Sequence, residues 1–223
     1  METYRLKSRL VENNKEYVIQ TSNDTNLSTV SSVIYINGEE AETIRCPLPM
    51  EVSSEEILSL VKLRHGEMKR ELESLLEAYR RVLGGSDPQK MYHLGTAFFY
   101  KQFYLESRQL FMAATKADSQ FHQAFNYLGL AESALGHHEE AVRACRIAVE
   151  KRPGYADYRN NLGEALLSTS ACKPAIDEFE EAIRINLYYG DAHFNLGLAL
   201  ILNGLEQQDT KPVSYTHLTL PTN

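Results

Sequence analysis

The chain has no tryptophan, and its three cysteines, Cys46, Cys145 and Cys172, are an odd number set far apart. That spacing gives neither a disulfide framework nor a run of metal ligands, and a reducing cytoplasm is the compartment it suits. Long apolar runs are missing, which leaves no candidate for a helix that spans a bilayer. The N-terminus, METYRLKSRL, lacks the apolar core of a secretory signal. Positive charge is in deficit as well. With 23 Lys and Arg against 30 Asp and Glu, the formal net charge is -7 and no basic run offsets it, so a nucleic-acid binder held by phosphate contacts is not expected. Phosphate-cradling glycine loops, the HExxH metal motif and the nucleophile elbow are all absent, and no catalytic residue or cofactor site is expected.

What is present is a period. Leu94-Gly95, Leu128-Gly129, Leu162-Gly163 and Leu196-Gly197 recur at a constant interval of 34 residues, the mark of a repeat architecture. Ala97, Ala131, Ala165 and Ala199 follow each pair. Twelve residues past the first three glycines stand Ser107, Ala141 and Ala175, then Phe111, Cys145 and Phe179, then Ala114, Ala148 and Ala182. Small and large residues thus alternate on one face of a second helix, and two helices approach closely only where side chains are small.

This pattern resembles the tetratricopeptide repeat, most clearly in FNYLGLAESALGHHEEAVRACRIAVEKRP, where Gly136 makes the turn and Pro153 closes the second helix. The next unit departs from the pattern, with Ser170 at the turn and Leu187 in place of the closing proline. Pro174 is expected in the first turn of its second helix. The resemblance implies a mainly α fold: an α-solenoid of three full helix pairs plus one extra helix, at about 88–121, 122–155, 156–189 and 190–204. Leu196, Leu200 and Ile201 of the extra helix would lack cover.

The resemblance also implies a concave groove lined by the first helix of each pair. The expected peptide-binding residues are Tyr92, Thr96, Phe99, Gln123, Asn126, Tyr127, Leu130, Asn160, Asn161, Glu164 and Asn195. Lys and Arg are missing from the places that grip a C-terminal carboxylate in chaperone-binding repeats. Asn161 and Asn195 match the asparagine ladder that holds peptide backbone in the O-GlcNAc transferase superhelix, whereas His93 and Tyr127 do not. The function so implied is a scaffold or adaptor that holds a protein or peptide partner. Two other readings stay open: the recruiting part of a larger enzyme, such as a glycosyltransferase or signalling enzyme, truncated here, and a homodimeric assembly factor.

Residues 1–50 read differently. Tyr4–Leu10, Tyr17–Thr21, Val30–Ile36 and Glu42–Ile44 predict a small antiparallel meander of three or four strands, with Asn37-Gly38 as a hairpin signal. Such a sheet needs a helix to cover it. Residues 51–85 supply one: Ser53 and Glu56 form a capping-box pattern, and Gly84-Gly85 mark the stop. Leu58, Val61, His65, Met68, Leu72, Leu75, Tyr79 and Val82 alternate in steps of three and four, widened by Leu60, Leu76 and Leu83. The broad stripe favours packing on the sheet and first repeat over homodimerisation through residues 54–83. His137-His138-Glu139-Glu140 falls at a turn where polar residues are expected and does not read as a metal site; His65 reads as a tolerated seam residue and Cys145 as a small apolar filler. Beyond the repeats (86–204) lies a tail, 205–223. Its VSYTHLTLPT resembles a translated sequencing-library adapter, so 212–223 are expected not to be natural sequence.

Overall fold

A computed structural model describes residues 3–12, 14–49 and 51–209, with side chains to residue 205. The adapter-like stretch 212–223 lies outside the described residues. Contacts divide the chain into two compact units, Met1–Asp118 and Ser119–Asn223.

In the first unit, β1 (Arg5–Glu12), β2 (Lys15–Asp24), β3 (Thr29–Ile36) and β4 (Glu39–Pro47) form an antiparallel sheet in the order β1-β2-β3-β4. The meander is therefore four-stranded. At the β3–β4 turn Asn37 and Gly38 both take positive φ, 51° and 92°, the twist that a tight hairpin needs. Strict alternation buries Tyr17, Ile19, Thr21 and Asn23 of β2, and Val30, Ser32 and Ile34 of β3, on one face. Helix α1 (Ser54–Leu83) packs on that face, against β1, β2 and β3. Its capping box forms as the sequence predicts: Ser53 Oγ accepts from the Glu56 amide and the Glu56 carboxylate accepts from the Ser53 amide at 2.8 Å. The helix stops at Leu83, although Gly84 stays right-handed with φ -78°.

The buried stripe of α1 differs from the expected one. Ile57, Val61, His65, Met68, Leu72, Leu76 and Tyr79 are buried, whereas Leu58, Leu75 and Val82 are only half-buried. Ile57, Met68 and Tyr79 stand eleven residues apart, so the buried positions recur every 3.67 residues rather than the heptad's 3.5. That period lies nearer than the heptad's 3.5 to the 3.6 residues per turn of a straight helix, so the stripe drifts less across the sheet than a two-stranded seam would.

Polar groups inside this layer are bonded. The His65 ring lies between strands, with Nε2 2.7 Å from Ser8 Oγ and Nδ1 3.2 Å from Thr21 Oγ1, which in turn is 3.0 Å from Ser32 Oγ. Helices α2 (Pro88–Tyr100) and α3 (Tyr104–Ala117) complete the unit. Glu106 of α3 is 2% exposed and accepts from Lys15 Nζ and, at 2.8 Å, from Tyr17 Oη. This buried ion pair ties the first helix pair to β2. Removal of one partner of such a pair costs about 3–5 kcal/mol because a charge is left buried alone.

The second unit holds α4 (His122–Ala134), α5 (His138–Lys151), α6 (Ala156–Ser168), α7 (Cys172–Ile185) and α8 (Gly190–Asp209). Pro174 falls in the first turn of α7, where its missing N–H removes no helical bond. Helix α8 runs on past Gly204, where the repeat was expected to end. Within each pair the Leu-Gly glycine meets the large residue of the second helix. A Cβ on Gly163 would stand 2.5 Å from Phe179 Cε1, and one on Gly129 would meet Cys145 Sγ and lie 3.2 Å from the backbone at Ala141 and Cys145. In the first unit Gly95 meets Phe111 at 2.7 Å in the same way. At the turns, Gln102, Gly136 and Ser170 occupy one place in the period and all are left-handed, with φ of 63°, 76° and 59°. The departure at Ser170 thus leaves the turn geometry unchanged.

Three outcomes follow from these contacts. Gly129→Ala should lower stability by about 1–3 kcal/mol, against the roughly 1 kcal/mol that alanine brings to an open helix site; thermal unfolding that is unchanged or raised would contradict the close-contact account. Ser170→Gly should raise stability by roughly 1 kcal/mol, since an L-residue is strained at that φ. Burial, with Lys69 adding, lowers the His65 pKa below its ordinary value of 6.5. The folded state then binds fewer protons than the unfolded one as pH falls past the ordinary value, so stability held above it should be lost progressively as pH falls below about 6.5. Urea midpoints should show a shallower slope there for His65→Gln than for the parent chain.

Candidate peptide-binding face

In the second unit the first helices α4, α6 and α8 lie side by side, with α5 and α7 packed against them. Asparagines bind this layer together. Asn161 Nδ2 donates to Asn126 Oδ1 at 3.0 Å, and Asn195 Nδ2 donates to Asn160 Oδ1 at 3.0 Å. Asn195 Nδ2 also donates to Glu164 Oε1 at 2.7 Å, which accepts from Asn160 Nδ2 at 2.7 Å. Asn126 and Asn160 are 4% and 2% exposed. Buried amides are costly unless bonded, and the donors on the neighbouring helix meet that demand. The two ladder positions are therefore fixed in orientation, with both Nδ2 hydrogens of Asn195 engaged.

The other expected residues divide between the units. Gln123, Tyr127 and Leu130 are half-buried along α4, and Glu164 is exposed on α6. Tyr92, Thr96 and Phe99 belong to α2 of the first unit, each half-buried. The Tyr92 ring packs 6.1 Å from Phe111, Phe99 lies 5.5 Å from Tyr104, and Thr96 Oγ1 donates to the His93 carbonyl at 2.8 Å.

Charge on the layer is one-sided. Up to residue 205, α4, α6 and α8 carry Glu132, Asp157, Glu164 and Asp191 against a single cation, Arg159. The Arg159 guanidinium is already held by Glu178 of α7 at 2.7 Å. Burial raises the Tyr189 phenol pKa, and the carboxylates of Asp157, Asp191 and Glu164 raise it further. At the start of α4 and α6 is an aromatic shelf: Tyr155 and Tyr158 stack at 4.9 Å, and His122 Nδ1 lies 2.8 Å from Tyr158 Oη. Tyr155 is exposed.

Two residues escaped the sequence reading. Glu132 is 4% exposed and accepts from His137 Nδ1 at 2.7 Å. A signal existed, since its place in the period holds Phe98, Leu166 and Leu200, and a lone carboxylate in an apolar column implies a bonded partner. Tyr158 carried no comparable signal. Cys145 sits in the core of the second unit, where burial, with Glu164 adding, pushes its thiol up to about 12; it is an apolar filler and not a nucleophile at neutral pH. Among the described residues no three His, Cys, Asp or Glu side chains are grouped to hold a metal ion, and no helix is long and apolar enough to cross a membrane.

A model of the tetratricopeptide repeat matches residues 92–156 and again 128–186. Solved structures share the fold. MamA is 23% identical with a TM-score of 0.55, over 64% of this chain and 86% of its own. The Sgt2 TPR domain from Aspergillus fumigatus is 18% identical with a TM-score of 0.54, over 60% and 90%. The first TPR of Spaghetti (RPAP3), bound to the HSP90 peptide SRMEEVD, is 16% identical with a TM-score of 0.51, over 52% and 93%. With the 34-residue period, the close glycine contacts and the left-handed turns, these matches show that residues 92–186 are built of tetratricopeptide repeats, in a chain that begins with a four-stranded antiparallel sheet and a long helix.

Proposed function

We propose that the chain is a protein-interaction scaffold that takes an extended, neutral or basic peptide along the face of α4, α6 and α8. The one-sided charge of that face carries the reading: the exposed carboxylates Asp157, Glu164 and Asp191, beside an already paired arginine, mean that these three helices offer an acidic tail no unpaired Lys or Arg up to residue 205. Protein-bound relatives of the fold support the general role, since the first TPR of Spaghetti holds an HSP90 peptide. The charge argues for a different ligand here, because like charge across an interface disfavours a partner. Tyr127, Gln123 and Leu130 supply contact area, and the asparagine network holds the polar groups in place before binding, which lowers the ordering cost. Backbone of an extended peptide offers N–H and C=O groups to such side chains.

Labelled octapeptides of Lys/Ser/Val and of Glu/Ser/Val composition, and SRMEEVD, distinguish the possibilities by fluorescence anisotropy. The basic peptide should bind most tightly and weaken as salt rises. Tyr127→Ala and Glu164→Gln should each weaken it several-fold, about 1 kcal/mol, with thermal stability near that of the parent chain. Tighter binding of the two acidic peptides, or no binding of any, would overturn this assignment.

A further inference from the structure

The two edges of the N-terminal sheet are finished differently. In β4 a register shift opposite Ile34 and Tyr35 leaves Ala41 unpaired, Pro47 and Pro49 end the strand, and Glu39 and Glu40 are exposed. Bulges, prolines and charges are the usual means of blunting an edge. β1 has neither bulge nor proline. Its eight residues pair with β2 in unbroken register, from Arg5↔Ser22 to Glu12↔Lys15, and its other side is an edge in the order β1-β2-β3-β4. Opposed residues of an antiparallel pair alternate between bonded and unbonded. The Tyr4 carbonyl accepts from the Asn23 amide at 3.3 Å, which places Tyr4, Leu6, Ser8 and Leu10 in the bonded set. The amides and carbonyls of Arg5, Lys7, Arg9 and Val11 therefore point away from β2.

The side chains of β1 divide by face. Arg5, Lys7, Arg9 and Val11 are exposed on the face away from α1. Arg9 is held by Glu16 at 2.6 Å, whereas among the described residues Arg5 and Lys7 have no ion-pair partner. Asp24 of the same face is occupied with its turn, where it accepts from the Asn26 and Leu27 amides. Towards α1, Leu6 and Leu10 are only half-buried, although Thr21 and Tyr17 opposite them in β2 are 0% and 2% exposed. Helix α1 thus covers β2 fully and β1 in part. A strand laid beside β1 would meet cations on one face and leucines on the other. A second β1 is disfavoured, because antiparallel pairing would set two rows of Arg and Lys against each other. A second copy's β4 is disfavoured by its bulge and prolines.

We propose that the outer edge of β1 takes, by antiparallel strand addition, an extended segment of a partner protein in which Asp or Glu alternates with apolar residues. The acidic residues stand opposite Arg5, Lys7 and Arg9 and exchange both backbone hydrogen bonds with them. The apolar residues between them cover Leu6 and Leu10. Main-chain bonds supply affinity and the alternation selects the partner. Carboxylates match the arginines in charge and geometry, and the glutamates of β4 turn the same segment away from the other edge. Two unpaired cations are too few for a nucleic-acid strand, whose affinity comes from many phosphate contacts. This site belongs to the sheet, does not depend on the face of α4, α6 and α8, and calls for a ligand of the opposite charge.

A labelled octapeptide of strictly alternating Val and Glu is the probe, and it should bind the full chain saturably. Lys7→Glu should weaken that binding by about tenfold or more, since it sets like charges opposite each other. The fold should survive, because Lys7 is exposed and unpaired, and circular dichroism checks that it does. Two modified probes test the backbone bonds on the parent chain itself. N-methylation of the Glu residues removes the donors that face β1 and should abolish binding, whereas N-methylation of the Val residues removes donors that face solvent and should leave most of it. Tyr127→Ala and Glu164→Gln should leave the probe's affinity unchanged, which separates this edge from the peptide face. Equal binding of the two methylated probes, equal binding to the parent chain and Lys7→Glu, or no binding of the unmodified probe would each overturn the proposal. So would tighter binding of a single-stranded oligonucleotide, or a dimer of the parent chain that Lys7→Glu abolishes, since the occupant is then a nucleic acid or a second copy.

Discussion

Close approach at three glycines is the constraint on which the helical part depends. At Gly95, Gly129 and Gly163 the space of a single Cβ is already taken by Phe111, Cys145 or Phe179. Because protein interiors are close-packed, the axis separation of each pair is set at that point, and the neighbouring alanines follow from it. Ala114, Ala131, Ala148, Ala165 and Ala182 are buried for the same reason. The left-handed turns then fix where each second helix begins. At Gln102 and Ser170 the chain accepts the strain of a side chain at positive φ rather than shift the crossing.

The N-terminal unit is held by different means. Its sheet and α1 meet through an apolar layer with a polar seam, in which His65 joins β1 and β2 by way of two hydroxyls. Glu106 then connects the helix pair to β2 through Lys15 and Tyr17. Burial, and then Glu106, raises the Tyr17 phenol pKa far above its ordinary value, so it remains a donor. Pairs like this contribute little net stability but penalise alternative packings heavily. The cluster therefore specifies which surface of α3 the sheet accepts.

Much of this was legible in the sequence, and the misses have physical causes. A 34-residue period, a capping box and an Asn-Gly turn are local signals, and each element they mark is present. The α1 stripe was misread because Leu58 and Ile57, or Leu75 and Leu76, are equally apolar; only the partner's shape decides between periods of 3.5 and 3.67, and a sheet selects the straighter one. Glu106 is an ordinary polar residue in sequence, and its burial depends on Lys15 and Tyr17, about 90 positions away. The asparagines of the first helices were legible as positions in the period, but not as a network. Asn126 and Asn160 lie beside the two ladder positions, and their acceptor role emerges only when adjacent units stack.

That network has a direction. Each bond between two asparagines joins an acceptor in one repeat to a donor 35 residues later, one step beyond the period. The third unit holds both halves, Asn160 and Asn161. The second has an acceptor in Asn126 followed by Tyr127, and the fourth has Asn195 as donor preceded by Phe194. Tyr127 and Phe194 thus serve as start and stop marks for the ladder. A tandem duplication of the third unit would insert one more acceptor and one more donor, leave every amide matched, and keep both marks in place. The array carries its own rule for growth by whole units.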